Sequence, residues 1–193
     1  MAKPDPVVVI GAGPVGLCLA LALAQQEVSV TLVEAMSDDN FLDQVPRAGS
    51  NHPTTLEFFD RIGLYAKMEP RGLIAPKFQY WDRQGNALIA EFDHALLKND
   101  TRFPYVLQCE RIKIVEDALA MAKAHTLIDV RMATEFVSFE QNANAVLAQV
   151  RNASGENETI RGSHLVSAEG ARSVARKMLD VEFEGFTYPE RTI

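Results

Sequence analysis

The stretch Val7-Val8-Val9-Ile10-Gly11-Ala12-Gly13-Pro14-Val15-Gly16 joins a short apolar run to three glycines with the spacing GxGxxG. This pattern predicts a buried strand that turns sharply into a helix, with glycine wherever a Cβ would obstruct the turn or a bound phosphate. We expect Gly11 to make the turn, Gly13 to leave room for a pyrophosphate and Gly16 to let helix and strand pack. The stretch therefore predicts a dinucleotide site.

The residues that follow favour the same interpretation. Pro14 suits the first helical turn, where its missing N–H costs nothing, and Val15 to Ala24 continues as a largely buried helix. A second apolar run, Val28 to Val33, ends on Glu34. A carboxylate there accepts hydrogen bonds from ribose hydroxyls and disfavours a 2′-phosphate, so the pocket suits FAD or NAD better than NADP. An ordinary βαβ turn would not require an acid at this distance.

Composition narrows the class of protein. With 193 residues the chain can bury one sizeable core, or one domain and a smaller lobe. A net charge of −7 argues against a nucleic-acid partner. The run Val15 to Ala24 is too short to span a bilayer, and no positively charged leader precedes an apolar stretch. We therefore expect a cytoplasmic protein without a membrane span.

Neither the cysteines nor the histidines form a pattern typical of catalysis. Cys18 falls inside the first predicted helix and Cys109 near a strand end, without metal-ligand spacing, so we expect two reduced core thiols. The histidines lack Ser, Cys or carboxylate partners at motif spacing. They are His52, His94, His125 and His164. The sequence thus predicts no catalytic side chain and no metal site.

The middle of the chain departs from a simple αβ alternation. Pro53 to Leu64 predicts a helix that Thr54 or Thr55 would cap, ending on Gly63. Phe78 to Trp81 and Ala87 to Phe92 read as two strands of a hairpin around a turn with Gly85 and Asn86. This hairpin interrupts the nucleotide-binding pattern.

Further on, the helical and strand patterns return. Arg111 to Ala124 predicts a helix, and Leu127 to Val130 a strand that rejoins the sheet. The residues expected on the buried face of that helix are Ile112, Val115, Leu119 and Ala122. Three strands, Phe136 to Phe139, Ala145 to Val150 and Thr159 to Val166, read as an antiparallel meander, and Val174 to Leu179 as a short helix.

Taken together, these features resemble the N-terminal part of the aromatic-ring flavoprotein monooxygenases of the para-hydroxybenzoate hydroxylase type, across essentially the whole chain. Four segments carry the resemblance. They are Gly11 to Gly16 with Glu34; Pro46-Arg47-Ala48 with His52 to Glu57 and Arg61 to Leu64; Gln108 after Tyr105-Val106-Leu107, with Arg111; and Glu169-Gly170-Ala171-Arg172-Ser173-Val174-Ala175-Arg176. The first is shared by many FAD and NAD proteins and is specific only to the dinucleotide, and the second is more specific to this family.

The resemblance implies FAD as the cofactor and assigns residues to it. The glycine-rich segment that would bind FAD comprises Gly11, Ala12, Gly13, Pro14, Val15 and Gly16, together with Glu34. Arg47 would reach the flavin side, and Gln108 would meet the phosphates or the ribityl chain. Glu169 and Gly170 match the family's Asp-Gly fingerprint, which contacts FAD and shapes the path of the nicotinamide cofactor. Here a glutamate replaces the aspartate, and Arg172 and Arg176 either contact cofactor or pair with acids.

The resemblance also implies a domain organisation. We expect an α/β fold: a Rossmann-like FAD-binding domain with a βαβ cradle, an antiparallel β-meander and part of an inserted β substrate lobe. The FAD-binding domain would comprise residues 1–76 and 105–182. Residues 77–104 would be a hairpin of the substrate lobe, and residues 183–193 the start of its next segment. The chain would then be a fragment, inactive by itself.

The activity implied for the whole protein is NAD(P)H-dependent hydroxylation of an aromatic or related substrate with O₂, through a flavin C4a-hydroperoxide. NAD(P)H would be a transient reductant, because the chain has a single glycine-rich cradle. Two alternatives stay open. One is a non-catalytic FAD- or NAD-binding module, and the other is a flavoprotein of the same fold with oxidase, halogenase or other chemistry. Substrate identity and oligomeric state are not predicted.

Overall fold

The computed structural model describes residues 4–42 and 49–189. Their strands are β1 (Val7–Ile10), β2 (Val30–Val33), β3 (Ser50–Asn51), β4 (Leu73–Ala75), β5 (Lys77–Asp82), β6 (Ala87–Asp93), β7 (Val106–Gln108), β8 (Ile128–Arg131), β9 (Glu135–Gln141), β10 (Val146–Arg151), β11 (Asn157–Gly162) and β12 (His164–Ser167). Their helices are α1 (Pro14–Gln25), α2 (Asp38–Leu42), α3 (Pro53–Arg61), α4 (Tyr65–Met68), α5 (Arg111–Ala124) and α6 (Val174–Met178).

A parallel sheet with the order β12-β1-β2-β8 organises the domain. Its two central strands, β1 and β2, are buried throughout and almost wholly apolar because both faces of the sheet are covered there. Val7 and Val9 of β1 belong to the core formed with helices α1 and α5. Val8 and Ile10 belong to a second core, formed with the β-meander and α6. Alternate residues of β1 thus contribute to two different hydrophobic cores. The Rossmann-like α/β fold predicted from the sequence is confirmed.

The meander consists of β9, β10 and β11, but the predicted third strand, Thr159 to Val166, is wrong as a single element. β11 ends at Gly162 and pairs with β10, whereas β12 joins the parallel sheet beside β1. A Cβ at Gly162 would lie 2.6 Å from Cγ2 of Val8, and the N–H of Ser163 donates to the carbonyl of Pro6 over 2.9 Å. This close approach takes the chain from one sheet to the next.

Two expectations about helices also need correction. His52 is the N-cap of α3, not Thr54 or Thr55, because Pro53 already occupies the first helical position. Helix α5 has the predicted bounds, but its buried face is Ile114, Val115, Ala118, Leu119 and Ala122. Ile112 is only half-buried, since it lies beside that stripe rather than on it.

The predicted hairpin is confirmed as β5 and β6, an antiparallel pair. Its turn is held by the carboxylate of Asp82, which accepts hydrogen bonds from the N–H groups of Gln84 and Gly85 at 3.1 and 2.7 Å. Strands β3, β7 and β4 form a further small antiparallel sheet that the sequence did not reveal. This small sheet places Gln108 next to the segment that follows residues 43–48.

Candidate functional site

The turn between β1 and α1 is built by two glycines that the protein's own packing requires. Gly11 has a φ of +98°, and its N–H donates to the carbonyl of Val33 at 2.7 Å. A Cβ at Gly11 would lie 2.7 Å from the carbonyl oxygen of Ala168. At Gly16 it would lie 1.9 Å from the carbonyl oxygen of Gly11. The carboxyl ends of β1, β2 and β12 therefore meet closely around this turn.

Gly13 differs, because a Cβ there would meet no protein atom within 4 Å. It is the N-cap of α1, which begins at Pro14, and it lines an open cleft. The N–H groups in the first turn of a helix lack intrahelical partners and carry a partial positive charge. The space beside Gly13 is thus a cradle that suits an anionic group such as a pyrophosphate, and any side chain at this position would enter it.

Glu34 follows β2, and its half-buried carboxylate is held by two backbone groups. Its Oε2 accepts a hydrogen bond from the N–H of Ala12 at 2.8 Å, and Oε1 accepts one from Met36 at 3.0 Å. Each carboxylate oxygen has a second lone pair that remains available to a hydroxyl donor. The geometry therefore fits the predicted role of Glu34, which is to accept the hydroxyls of a ribose.

One cleft of about 500 Å³ brings most of the predicted cofactor residues together. Those that line it are Gly11, Gly13, Pro14, Val15, Glu34, Glu169 and Gly170. Ala12 and Gly16 are buried directly beneath, in the turn itself. The glycine loop, the end of β2 and the fingerprint segment, separate in sequence, are therefore neighbours at one edge of the parallel sheet.

Several cleft residues were missed by reasoning from the sequence. Phe41, Thr134 and Phe136 line the same space. The N–H of Thr134 donates to the carbonyl of Glu34 at 2.8 Å, so the segment after β8 packs against the segment after β2. The sequence could have indicated the residues after β8, because β8 is the next strand of the parallel sheet and the carboxyl ends of parallel strands lie at one edge of the sheet.

The fingerprint segment begins with Glu169 and Gly170. Gly170 is exposed with a φ of +75°, a conformation that favours glycine. The Glu169 carboxylate accepts hydrogen bonds from the hydroxyls of Ser167 and Ser173 and from the N–H groups of Val174 and Ala175, at 2.7 to 3.1 Å. Burial raises the pKa of Glu169, but these hydrogen bonds lower it, and the net direction is downward.

The two arginines of this segment line different clefts. Arg172 lines the cleft beside Gly13. Arg176 lines a neighbouring cleft of about 690 Å³ instead, donates to the carbonyl of Val181 at 2.9 Å, and lies over the ring of Phe183 at 5.4 Å. Arg172 therefore has the position for contact with a ligand in the first cleft, whereas Arg176 is engaged with the segment after α6.

The described structure does not place Gln108 in this cleft. Gln108 ends β7, is exposed and accepts a hydrogen bond from the hydroxyl of Ser50 at 2.9 Å. It lies in another cleft, with Arg71 and Lys113. Arg47 lies outside the described residues. The predicted contacts of Gln108 and Arg47 with FAD stay predictions.

Cys18 and Cys109 are free and buried, as expected of core thiols. Across residues 4–42 and 49–189, His, Cys, Asp and Glu side chains form no group of three or more that could hold a metal ion. Within those ranges, no helix has the length and apolar character needed to cross a membrane.

A parallel sheet, a glycine turn into α1 and an acid at the end of β2 define a Rossmann-like dinucleotide-binding domain. Comparison with known proteins specifies the family: a family model described as "FAD binding domain" matches residues 5–193. The chain belongs to this family of FAD-binding domains. The resemblance to the para-hydroxybenzoate hydroxylase type is thereby confirmed, and FAD is the cofactor of the family.

Similar proteins include para-nitrophenol 4-monooxygenase of Pseudomonas sp. (strain WBC-3), which is 30% identical over 190 residues, 98% of this chain and 46% of that protein. 6-Hydroxy-3-succinoylpyridine 3-monooxygenase HspB of Pseudomonas putida (strain DSM 28022 / S16) is 29% identical over 194 residues, 100% of this chain and 48% of that protein. The crystal structure of p-nitrophenol 4-monooxygenase PnpA from Pseudomonas putida DLL-E4 matches with a TM-score of 0.88 and 29% identity, over 97% of this chain and 46% of that one. The chain thus spans about half the length of these relatives.

Proposed function

We propose that this chain is the FAD-binding part of a flavin-dependent monooxygenase that hydroxylates an aromatic or related small molecule with O₂ and NAD(P)H. The observation that carries the proposal is the open space beside Gly13, within the same cleft as the anchored carboxylate of Glu34. The relatives support the reaction class, because their names describe monooxygenases acting on a nitrophenol and on a hydroxypyridine.

Each part of the cleft has a role in this proposal. The first turn of α1 binds the pyrophosphate through backbone N–H groups, without a side chain at Gly13. Glu34 accepts the ribose hydroxyls through its free lone pairs, and Phe41 and Phe136 supply apolar walls nearby. When bound, FAD supplies the redox chemistry that activates O₂. The chain's own residues bind and orient that cofactor, which explains why the reaction needs no nucleophile or metal cluster from them.

The finer assignments belong to the same proposal. Residues 1–76 and 105–182 form the FAD-binding domain, residues 77–104 a hairpin of the substrate lobe, and residues 183–193 the beginning of its next segment. Arg47 reaches the flavin side, Gln108 the phosphates or ribityl chain, and Gly170 the cofactor through its backbone. The protein acts in the cytoplasm, and NAD(P)H binds transiently.

The test is the visible absorption spectrum of the chain after incubation with FAD and desalting, beside the variants Gly13→Val and Gly185→Val. Gly185 is a matched control, because a Cβ there also meets no protein atom within 4 Å and it does not line the cleft. We expect bound flavin in the native chain and in Gly185→Val, and none in Gly13→Val. Flavin retained equally by all three proteins would contradict the assigned cleft.

A second measurement separates the alternative functions. In the whole protein, bound flavin should be reduced by NADH or NADPH and reoxidised by O₂ with formation of a hydroxylated product. Flavin that neither nucleotide reduces would favour a non-catalytic binding module. Reduction without hydroxylated product would favour oxidase or halogenase chemistry on the same fold.

A further inference from the structure

The carboxylate of Glu169 connects the end of β12 to the start of α6. Its Oε2 accepts hydrogen bonds from the hydroxyls of Ser167 and Ser173, both at 2.7 Å, and from the N–H of Ala175 at 3.1 Å. Its Oε1 accepts one from the N–H of Val174 at 2.9 Å. These contacts use the carboxylate within the protein, so it is not free to serve chiefly as a ligand for ribityl hydroxyls.

Ser173 is the centre of this network. It is the N-cap of α6, and its Oγ accepts a hydrogen bond from the N–H of Arg176 at 3.0 Å. The hydroxyl oxygens of Ser173 and Ser167 are themselves 2.9 Å apart. Because an ionised carboxylate carries no hydrogen, the three close oxygen pairs share the two serine hydroxyl hydrogens. The network is therefore closed on itself and is linked to the backbone of α6.

What this network encloses is the turn Gly170–Arg172. Glu169 precedes the turn and Ser173 follows it, and the contact between their side chains pins both ends. Gly170 and Arg172 line the cofactor cleft, and Gly170 adopts a φ of +75°. A turn closed in this way presents a preformed wall to a ligand, because its conformation does not have to be ordered on binding.

We propose that Glu169 is a positioning residue, which holds the Gly170–Arg172 turn against the FAD cleft, and that this role requires glutamate rather than the aspartate usual in the family. The proposal rests on the proposed function, since it concerns the same cleft. An aspartate is shorter by one C–C bond, about 1.5 Å. If the carboxylate oxygens lay farther from their partners by that distance, the present contacts of 2.7 to 3.1 Å would exceed hydrogen-bond distance unless the turn itself shifted.

The experiment compares Glu169→Asp and Glu169→Gln with the native chain and with Glu184→Asp, which makes the same change at an exposed acid outside the network. The FAD dissociation constant is measured by titration at a temperature where every variant is folded by circular dichroism. Amide hydrogen exchange at Val174 and Ala175 is measured on the same samples. We expect FAD binding at least tenfold weaker and faster exchange at both amides in the two Glu169 variants, with Glu184→Asp unchanged.

Three results would overturn the proposal. The first is a Glu169→Asp variant that binds FAD as tightly as the native chain. The second is a variant that loses only thermal stability while its FAD affinity is kept, which would make the role merely structural. The third is native-like amide exchange at Val174 and Ala175 in Glu169→Asp. This result would overturn the proposal even if no protein in the set binds flavin. Failure of the proposed function is recognised separately, by Gly13→Val binding flavin as well as the native chain.

Discussion

The N–H of Ala12 donates a hydrogen bond to Oε2 of Glu34 over 2.8 Å, across 22 positions of sequence. This contact joins the glycine turn after β1 to the residue that follows the neighbouring strand β2. Since Ala12 is fully buried and Glu34 lines the cleft, the carboxylate faces the cleft from a position fixed by the sheet. Under the proposed function, selectivity for a ribose would depend on the same hydrogen bond that stabilises the turn.

Replacing Glu34 by glutamine should change which nucleotide the cleft prefers. Glutamine keeps one neutral acceptor oxygen but replaces the other by an NH₂ donor, which cannot accept a ribose hydroxyl. Because hydrogen bonds to a charged acceptor are worth about 1.5–3 kcal/mol each, ADP should bind at least tenfold more weakly. The penalty against a 2′-phosphate should fall at the same time, because the negative charge is gone. Calorimetric titration with ADP and with 2′-phospho-ADP checks both effects. An unchanged ratio of the two affinities would contradict the role of Glu34, and Glu182→Gln, at an exposed acid away from the cleft, is the control.

Gly16 and Gly13 should respond to alanine in opposite ways. Gly16→Ala places a Cβ 1.9 Å from a backbone oxygen and should lower the free energy of unfolding by at least about 2 kcal/mol. Gly13→Ala meets no protein atom within 4 Å and loses only the preference for glycine over alanine at the N-cap, so most of the stability should be kept while FAD binding falls. Urea unfolding and FAD titration of the two variants distinguish these effects. Equal losses of stability would show that the packing around the turn has been misassigned.

Glu169 should make part of the stability depend on pH. Its pKa is lowered in the folded state from the ordinary 4.5, so its contribution is present above about pH 4.5 and is lost as pH falls through the folded pKa. In Glu169→Gln this portion should disappear, and the difference in thermal midpoint between native chain and variant should shrink as the pH falls below 4.5. A difference that stays constant over this range would be evidence against the lowered pKa.

The two cysteines should be unreactive in the native protein. Burial raises the pKa of the Cys18 thiol to about 11. Burial also raises that of Cys109, against a smaller opposing effect of Lys113 and Arg71. Because the thiolate is the nucleophile, we expect a disulfide reagent to label the native protein slowly at about pH 8. Both thiols should be labelled rapidly after denaturation in urea. Rapid stoichiometric labelling of the native chain would mean that one thiol is accessible.

Local pattern was sufficient for the elements whose residues carry their own signal. The GxGxxG spacing with Pro14 determined where α1 begins, because glycine and proline restrict the backbone directly. The apolar run of β1 predicted a buried strand, and the turn residues of the hairpin predicted β5 and β6. In each case the signal lies within about ten residues, as expected of turns and strand periodicity.

Tertiary structure decided what local pattern could not. The run Thr159 to Val166 reads as one strand by its β-branched and apolar residues, yet it divides at Gly162 because the chain there passes close to Val8 and moves to another sheet. Likewise, nothing in the spacing around Glu169 shows that its carboxylate reaches Ser173 and the start of α6. The sequence by itself determined the dinucleotide cradle and its acid. The fold alone determined which strand ends meet at the cleft, because those contacts join segments distant in the chain. The contacts of Glu169 are local in sequence, but they depend on the backbone path of the turn Gly170–Arg172, which the residue types did not predict.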